Sequence, residues 1–234
     1  MNVLEVQGLT KHYPAFTLNG VSFAVSEGAV MGFIGRNGAG KSTTLKSILG
    51  MVHPDAGEVK VFGMDYAANE RAIRRELGVV LGGIDFYPKK KIRVITDVTR
   101  RFYDNWDEDK YRHYLRLFAI DEEKRVDQLS SGMKVKYMIA IALSHNARLL
   151  ILDEPTSGLD PVSRDELTEM LCRLVADGTR SVLFSTHIAF IKDGELQYTG
   201  PLDDFRTHYK DVGATLEDII VHVERRPLDE GAII

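Results

Sequence analysis

Two short stretches of this chain carry residue types able to handle a triphosphate. Residues 35 to 42 read Gly-Arg-Asn-Gly-Ala-Gly-Lys-Ser, which is the G-x-x-x-x-G-K-[ST] phosphate loop. Its glycines, Gly35, Gly38 and Gly40, let the backbone turn tightly, so that successive N–H groups point at phosphate oxygens. Arg36, Asn37, Ala39 and Thr43 complete the cradle. A helix starting near Lys41 adds its partial positive end. Lys41 suits the β- and γ-phosphates, and the Ser42 hydroxyl suits magnesium. The second stretch, Leu149-Leu150-Ile151-Leu152-Asp153-Glu154, ends an apolar run in two acids. Asp153, at the carboxyl end of a strand, is placed where ligands bind in open α/β sheets and suits a magnesium ligand. Glu154 suits the base that orients an attacking water. The pair of stretches points to binding of ATP or GTP with Mg2+ and to its hydrolysis.

The elements that must hold these residues follow from pattern and punctuation. Val3 to Val6 reads as a short strand, and residues 21 to 25 alternate as a half-exposed strand does. Residues 30 to 34 form a nearly continuous apolar strand that runs into the glycine loop, and Lys41 to Leu49 follows as a helix stopped at Gly50. This strand–loop–helix order is the context the motif requires. Glu58 to Phe62 is a further strand. From about Ile92 to His145 the pattern is mainly helical. Val94, Val98 and Phe102 recur at helical spacing, as do Tyr111, Leu115 and Phe118. Strand and helix then alternate again: Arg148 to Leu152, a helix opened by Pro161 that runs to about Ala176, and a strand from Ser181 to Thr186. An α/β nucleotide-binding core with a helical insertion is the simplest account.

Composition narrows the function classes. The chain has 234 residues, 44% hydrophobic and 27% charged, with a formal net charge of −4. That balance argues against a nucleic-acid binder working through a broad basic face, and no nucleic-acid partner is expected. The one cysteine, Cys172, sits between Leu171 and Leu174 in a helical stretch and reads as a small buried apolar side chain. No apolar run approaches the roughly 18 residues needed to span a bilayer, so a membrane role would pass through another subunit. The first residues lack a signal-peptide layout.

The stretch Leu129-Ser130-Ser131-Gly132-Met133-Lys134 precedes a helix, where serines are ordinary N-caps. Taken with its surroundings it does more. The segment Gln128 to Pro161 resembles the signature-to-D-loop region of ATP-binding-cassette (ABC) ATPases. It holds Leu129-Ser130-Ser131-Gly132, then Asp153-Glu154, then Ser157-Gly158-Leu159-Asp160, in the family's order and spacing. The resemblance extends from Val3 to about Val221. It implies an α/β fold: a P-loop NTPase core with an N-terminal antiparallel β subdomain and an inserted α-helical subdomain at about 84–145. One domain over 1–223 and a tail over 224–234 are expected.

The resemblance also implies roles. Two copies, or one copy and a homologous ABC subunit, pack head to tail, and each ATP lies between the glycine loop of one and the signature of the other. Ser130, Ser131 and Gly132 then face the γ-phosphate from across the interface, and Asp160 helps align the opposing site. Tyr13 matches an aromatic that stacks on adenine, with a core-covering strand-end tyrosine as the alternative. His187 matches a switch histidine that contacts the γ-phosphate. Separately encoded transmembrane subunits and a place on the cytoplasmic face of the membrane are implied, with a bacterial exporter favoured over an importer. The rival functions are a soluble ABC ATPase of DNA repair or translation and a regulatory cassette with little turnover.

The chain departs from the family pattern in three places. In the signature, Ser131 replaces the commoner glycine and Met133 the commoner glutamine. Gly82 stands where a glutamine normally contacts magnesium and the attacking water, so no side chain can act there. His187-Ile188 runs directly into Ala189-Phe190-Ile191-Lys192, another strand-like run, where family members have a helix. Parallel strands need a crossover of about a dozen residues, so a gap between Ile188 and Ala189 is expected. The run Lys89-Lys90-Lys91 reads as a solvated face, or else as a contact for a membrane subunit or lipid headgroups.

Overall fold

Alternating side chains and two-residue turns build the first layer. The computed structural model describes residues 1–34, 38–81, 87–155, 159–183, 187–192 and 195–201. Strand β1 (Asn2–Tyr13) and strand β2 (Phe16–Ser26) form an antiparallel hairpin closed by the pair Tyr13↔Phe16. Both strands are longer than their sequence pattern suggests, because register shifts near Asn2, Val6 and Leu9 break the alternation by which a strand is recognised. After β3 (Val30–Ile34) and α1 (Lys41–Ile48), strand β4 (Ala56–Val61) returns to pair with the other side of β1, and the two-residue β5 (Met64–Asp65) pairs with β4. The result is a four-stranded sheet ordered β2-β1-β4-β5.

Helix α2 (Tyr66–Glu76) starts at Asp65, whose carboxylate accepts the Ala68 N–H, and leads into β6 (Leu77–Leu81). A helical group follows: α3 (Ile92–Thr99), a 3-10 turn (Arg100–Phe102), α4 (Glu108–Leu117) and α5 (Ser131–Ser144). The chain then gives β7 (Leu149–Asp153), α6 (Pro161–Val175), β8 (Ser181–Leu183), β9 (His187–Lys192) and β10 (Glu195–Pro201). The second sheet is ordered β10-β9-β3-β8-β7-β6 and is parallel except for β10.

Three apolar groups hold these layers. One joins the first sheet and α1 to β7 and β8, including Leu4, Val6, Leu45, Ile48 and Ile151. A second packs α5 and α6 on the parallel sheet through Ile139, Leu143, Leu150 and Leu167. The third lies inside the helical group around Ile92, Tyr111, Val126 and Tyr137. The parallel strands read as near-continuous apolar runs because both faces are covered, and Leu149, Leu150 and Ile151 are each fully buried.

Two expectations are corrected. Strand β9 runs through Ile188 and Ala189 without interruption, paired to Gly32 and Phe33 of β3, so there is no gap at that bond. Strands β8 and β9 flank β3 on opposite sides, both parallel to it, although only residues 184–186 separate them in sequence. The crossover helix usual for such a connection is not part of this chain's β8-to-β9 segment. Cys172 lies on α6 as expected, but its side chain is half-buried rather than buried.

Candidate functional site

The glycine loop leaves β3 at Ile34 and enters α1 at Lys41. Gly35, Arg36 and Asn37 lie outside the described residues. Gly38 and Gly40 adopt φ of 88° and 110°, in the left-handed region that side chains avoid. Space reinforces the choice at Gly40. A Cβ there would stand 2.9 Å from both Leu18 Cδ1 and Phe16 Cζ. Phe16 therefore walls the loop, a role the sequence reading missed. The available signal was its place three residues after Tyr13 in the same hairpin.

Helix α1 begins without a side-chain cap. Its cap residue is Gly40, which offers no side-chain oxygen, and no acid occupies its first turn. The first-turn amides thus lack the side-chain acceptor that α2, α4, α5 and α6 each supply to theirs. The positive end of the helix favours an anion at this place. Lys41, Ser42 and Thr43 are half-buried in this turn, while Thr44 is fully buried and donates its hydroxyl to the Gly40 carbonyl at 3.0 Å.

Strand β7 carries Asp153 to the same place. Asp153 is the last residue of β7, opposite Leu81 at the end of β6. The Ser42 hydroxyl donates to Asp153 Oδ1 at 3.3 Å, joining residues 111 apart in sequence. Two hard oxygen donors, one of them anionic, are thereby brought together beside the helix start. That donor set fits Mg2+, which takes one or two protein oxygens and completes its shell with phosphate and water. It does not resemble a cage of protein ligands, and among the described residues no group of three His, Cys, Asp or Glu side chains is placed to hold a metal.

Glu154 follows immediately and is exposed, with φ of 48°. A non-glycine residue held at positive φ is uncommon and costs on the order of 1–3 kcal/mol. The turn points the chain out of the sheet at the residue whose carboxylate the sequence assigns to water. His187 begins β9 opposite Met31 of β3, and its side chain lies outside the described residues. Tyr13 ends β1 and is 40% exposed, with Phe16 as its cross-strand neighbour.

Ser130 and Asp160 both act as helix caps. Ser130 Oγ accepts the Met133 N–H at 3.2 Å at the start of α5, and Asp160 accepts the Ser163 N–H at 3.0 Å and its hydroxyl at 2.6 Å at the start of α6. The bonds from Ser163 hold the Asp160 carboxyl below its ordinary range. Ser130 and Ser131 are both exposed. A Cβ on Gly132 would meet Leu159 Cδ2 at 3.4 Å, so the tip of α5 packs beside the residue preceding Asp160. Gly82, Ser157 and Gly158 lie outside the described residues. Of the three lysines, Lys89 pairs with Asp127 at 3.0 Å and Lys91 with Glu123 at 2.7 Å, so most of that run is a paired, solvated face.

Known proteins share both the sequence and this architecture. Residues 18–157 match the family model described as ABC transporter. The bacitracin transport ATP-binding protein of Bacillus licheniformis is 32% identical over 189 residues, 80% of this chain and 62% of that protein. A Nod factor export ATP-binding protein of Burkholderia orbicola is 36% identical over 198 residues, 82% of this chain and 64% of that protein. The chain thus spans about three fifths of the length of these curated relatives. Among solved structures, an ATP binding subunit of an ABC transporter superposes with a TM-score of 0.81 at 28% identity, covering 95% of this chain and all of that one. An ATP-binding cassette in its ADP conformation gives 0.77 at 20% identity, over 96% of this chain and 100% of that one, a likeness of fold. With the glycine loop, the Ser42–Asp153 pair and the Ser130–Gly132 helix tip on one such framework, the chain belongs to the ABC transporter family as an ATP-binding cassette.

Proposed function

We propose that this cassette hydrolyses ATP with Mg2+ to drive a bacterial exporter, working as a head-to-tail pair beneath separately encoded membrane subunits. The observation that carries the reading is the 3.3 Å contact of Ser42 with Asp153 at the mouth of α1. It joins the end of the phosphate loop to the end of β7 and sets an oxygen pair suited to Mg2+ beside the start of α1. When bound, the ion would offset charge between the β- and γ-phosphates. The chain's own part is distinct from that. Lys41 and the first-turn amides hold the triphosphate, Tyr13 stacks on the base, and Phe16 keeps the loop in shape. Glu154 orients a water in line with the γ-phosphate and takes its proton, while His187 steadies the γ-phosphate from β9. Ser131 and the Gly132 amide close on the same phosphate from the second copy, and Asp160 sits at the seam.

Export is supported by the relatives named for bacitracin transport and Nod factor export. Attachment through a partner is supported by the helix inventory, since none among the described residues is long and apolar enough to cross a membrane. An exposed apolar patch supports a partner as well. Tyr87 is 68% exposed, Val94 41% and Val98 52%, around a cavity of about 270 Å³ on the outer side of α3. An apolar segment of a membrane subunit would cover these side chains.

Phosphate release, measured on the chain alone and with its co-expressed membrane subunit, tests the reading. Wild type should turn over ATP, chelation of Mg2+ should stop it, and Lys41→Ala should abolish ATP binding in calorimetric titration. Turnover that survives both treatments would refute the assignment. One residue favours a second reading: Gly82, where a side chain would otherwise assist the water, fits a regulatory cassette with little turnover. ATP binding without phosphate release, even with the membrane subunit present, would select that reading.

A further inference from the structure

Helix α2 places Arg71, Arg74 and Arg75 on one side, since positions i, i+3 and i+4 share a helical face. The 3-10 turn after α3 brings Arg101 and Phe102 to the same side, and together they line an open cavity of about 590 Å³. Two acids, Glu70 and Asp104, also line it. Arg74 pairs with Glu70 at 2.6 Å and donates to the Tyr66 hydroxyl at 3.2 Å, and Arg75 pairs with Asp104 at 2.7 Å. Arg71 and Arg101 make no ion pair among the described residues. The cavity thus carries an excess of two positive charges on a chain whose net charge is −4. It is a local feature and not part of a generally basic surface.

The residue type narrows the ligand. Guanidinium forks match the oxygens of a phosphate better than an ammonium does. A free phosphate ion would occupy only a small part of this volume. It would also gain nothing from Phe102, which stands at the rim 71% exposed. An uncovered ring beside arginines suits a lipid surface, where the ring enters the interfacial layer and the cations hold anionic headgroups.

We propose that this cavity binds the phosphate headgroup of an anionic lipid, with Phe102 entering the headgroup layer beside it. The proposal rests on the reading that the cassette works against a membrane, and it is independent of the catalytic steps. The purified chain is mixed with vesicles of phosphatidylglycerol and phosphatidylcholine, or of phosphatidylcholine alone, and the bound fraction is measured by sedimentation. Wild type should partition onto the anionic vesicles and not the neutral ones. Each basic residue at such a surface is worth roughly fivefold, so Arg71→Gln with Arg101→Gln should weaken partition by about 25-fold. Phe102→Ser should weaken it separately, and millimolar inorganic phosphate should leave it unchanged. Equal partition of wild type and the double variant, or no partition of wild type, overturns the proposal. Calorimetric binding of inorganic phosphate that the double variant loses, without vesicle binding, also overturns it and assigns the cavity to a soluble ion. ATP titration of the same samples reports separately on the cassette, because Arg71 and Arg101 lie outside the glycine loop.

Discussion

Glu154 and Asp153 are neighbours in sequence yet differ in every physical respect that decides their chemistry. Asp153 is half-buried, in extended backbone, and bonded to Ser42. Glu154 is exposed and held at φ 48°. An acid that positions a cation gains from a fixed partner, whereas one that accepts a proton from water must stay free of such a bond. Glu154→Gln keeps the shape and removes the base, so turnover should fall by on the order of 10²–10⁴-fold. ATP affinity should be retained, as read by equilibrium titration beside single-turnover phosphate release. Hydrolysis near the wild-type rate would take Glu154 out of the role. Candidates for this site were readable in the sequence wherever chemistry fixes both type and spacing, as at Lys41, Ser42 and Asp153, and the structure brings Ser42 and Asp153 into contact. Phe16 was not readable, because its task is steric. Only the distance from Gly40 shows that the ring leaves no room for a Cβ.

Helices α3, α4 and α5 meet at a hydroxyl cluster rather than at a purely apolar seam. Thr96 Oγ1 lies 2.9 Å from the Tyr111 hydroxyl and 2.8 Å from that of Tyr137, and all three residues are buried. Burial pushes the Tyr137 hydroxyl up to about 12 and raises that of Tyr111 as well, so both stay neutral donors. Thr96→Val keeps volume but strands buried hydroxyls, which should cost about 1–3 kcal/mol in urea unfolding. Thr96→Ser keeps the bond and should cost about 1 kcal/mol or less for the lost methyl group. This cluster also explains why the helical stripe Val94, Val98 and Phe102 is not the face that packs inward. Apolar spacing is a guide to the core only when the core is apolar. Here polar Thr96 is 3% exposed and faces inward, while Phe102 is 71% exposed. A second buried group at the end of α5 gives a pH signature. His145 is 1% exposed, stacks on Tyr103 with ring centroids 3.8 Å apart, and its Nδ1 has no hydrogen-bond partner among the described residues. Burial lowers its pKa from 6.5 to about 4. Between these values the unfolded chain holds the extra proton, so stability is full above pH 6.5 and declines as pH falls toward 4. The loss should approach about 3 kcal/mol, and His145→Gln should flatten that part of the stability–pH profile.

At the scale of the whole molecule, the two halves of the proposed ATP site sit on different parts of one chain. The glycine loop and Asp153 belong to the parallel sheet, while Ser130–Gly132 caps a helix of the inserted group and packs beside Leu159. Ser130 and Ser131 are exposed, so the α5 tip is open to something beyond its own chain. If that something is the ATP of a second copy, each site draws its loop from one protomer and its signature from the other. Two dead variants should then rescue one another. Lys41→Ala removes the loop's cation. Gly132→Asp sets a carboxylate against the γ-phosphate, and its fold should survive because a Cβ there makes only ordinary contact. Each variant alone has both sites broken. In an equal mixture half of the pairs are mixed, and every mixed pair contains one site with an intact loop and an intact signature. Activity should therefore rise from near zero toward about a quarter of the wild-type sites if pairing is a random two-fold association. Phosphate release is followed as the variants are titrated against each other at fixed total protein, with a maximum expected at the equal mixture. A mixture as silent as its components would show that loop and signature serve the same chain, and the head-to-tail arrangement would fall with it.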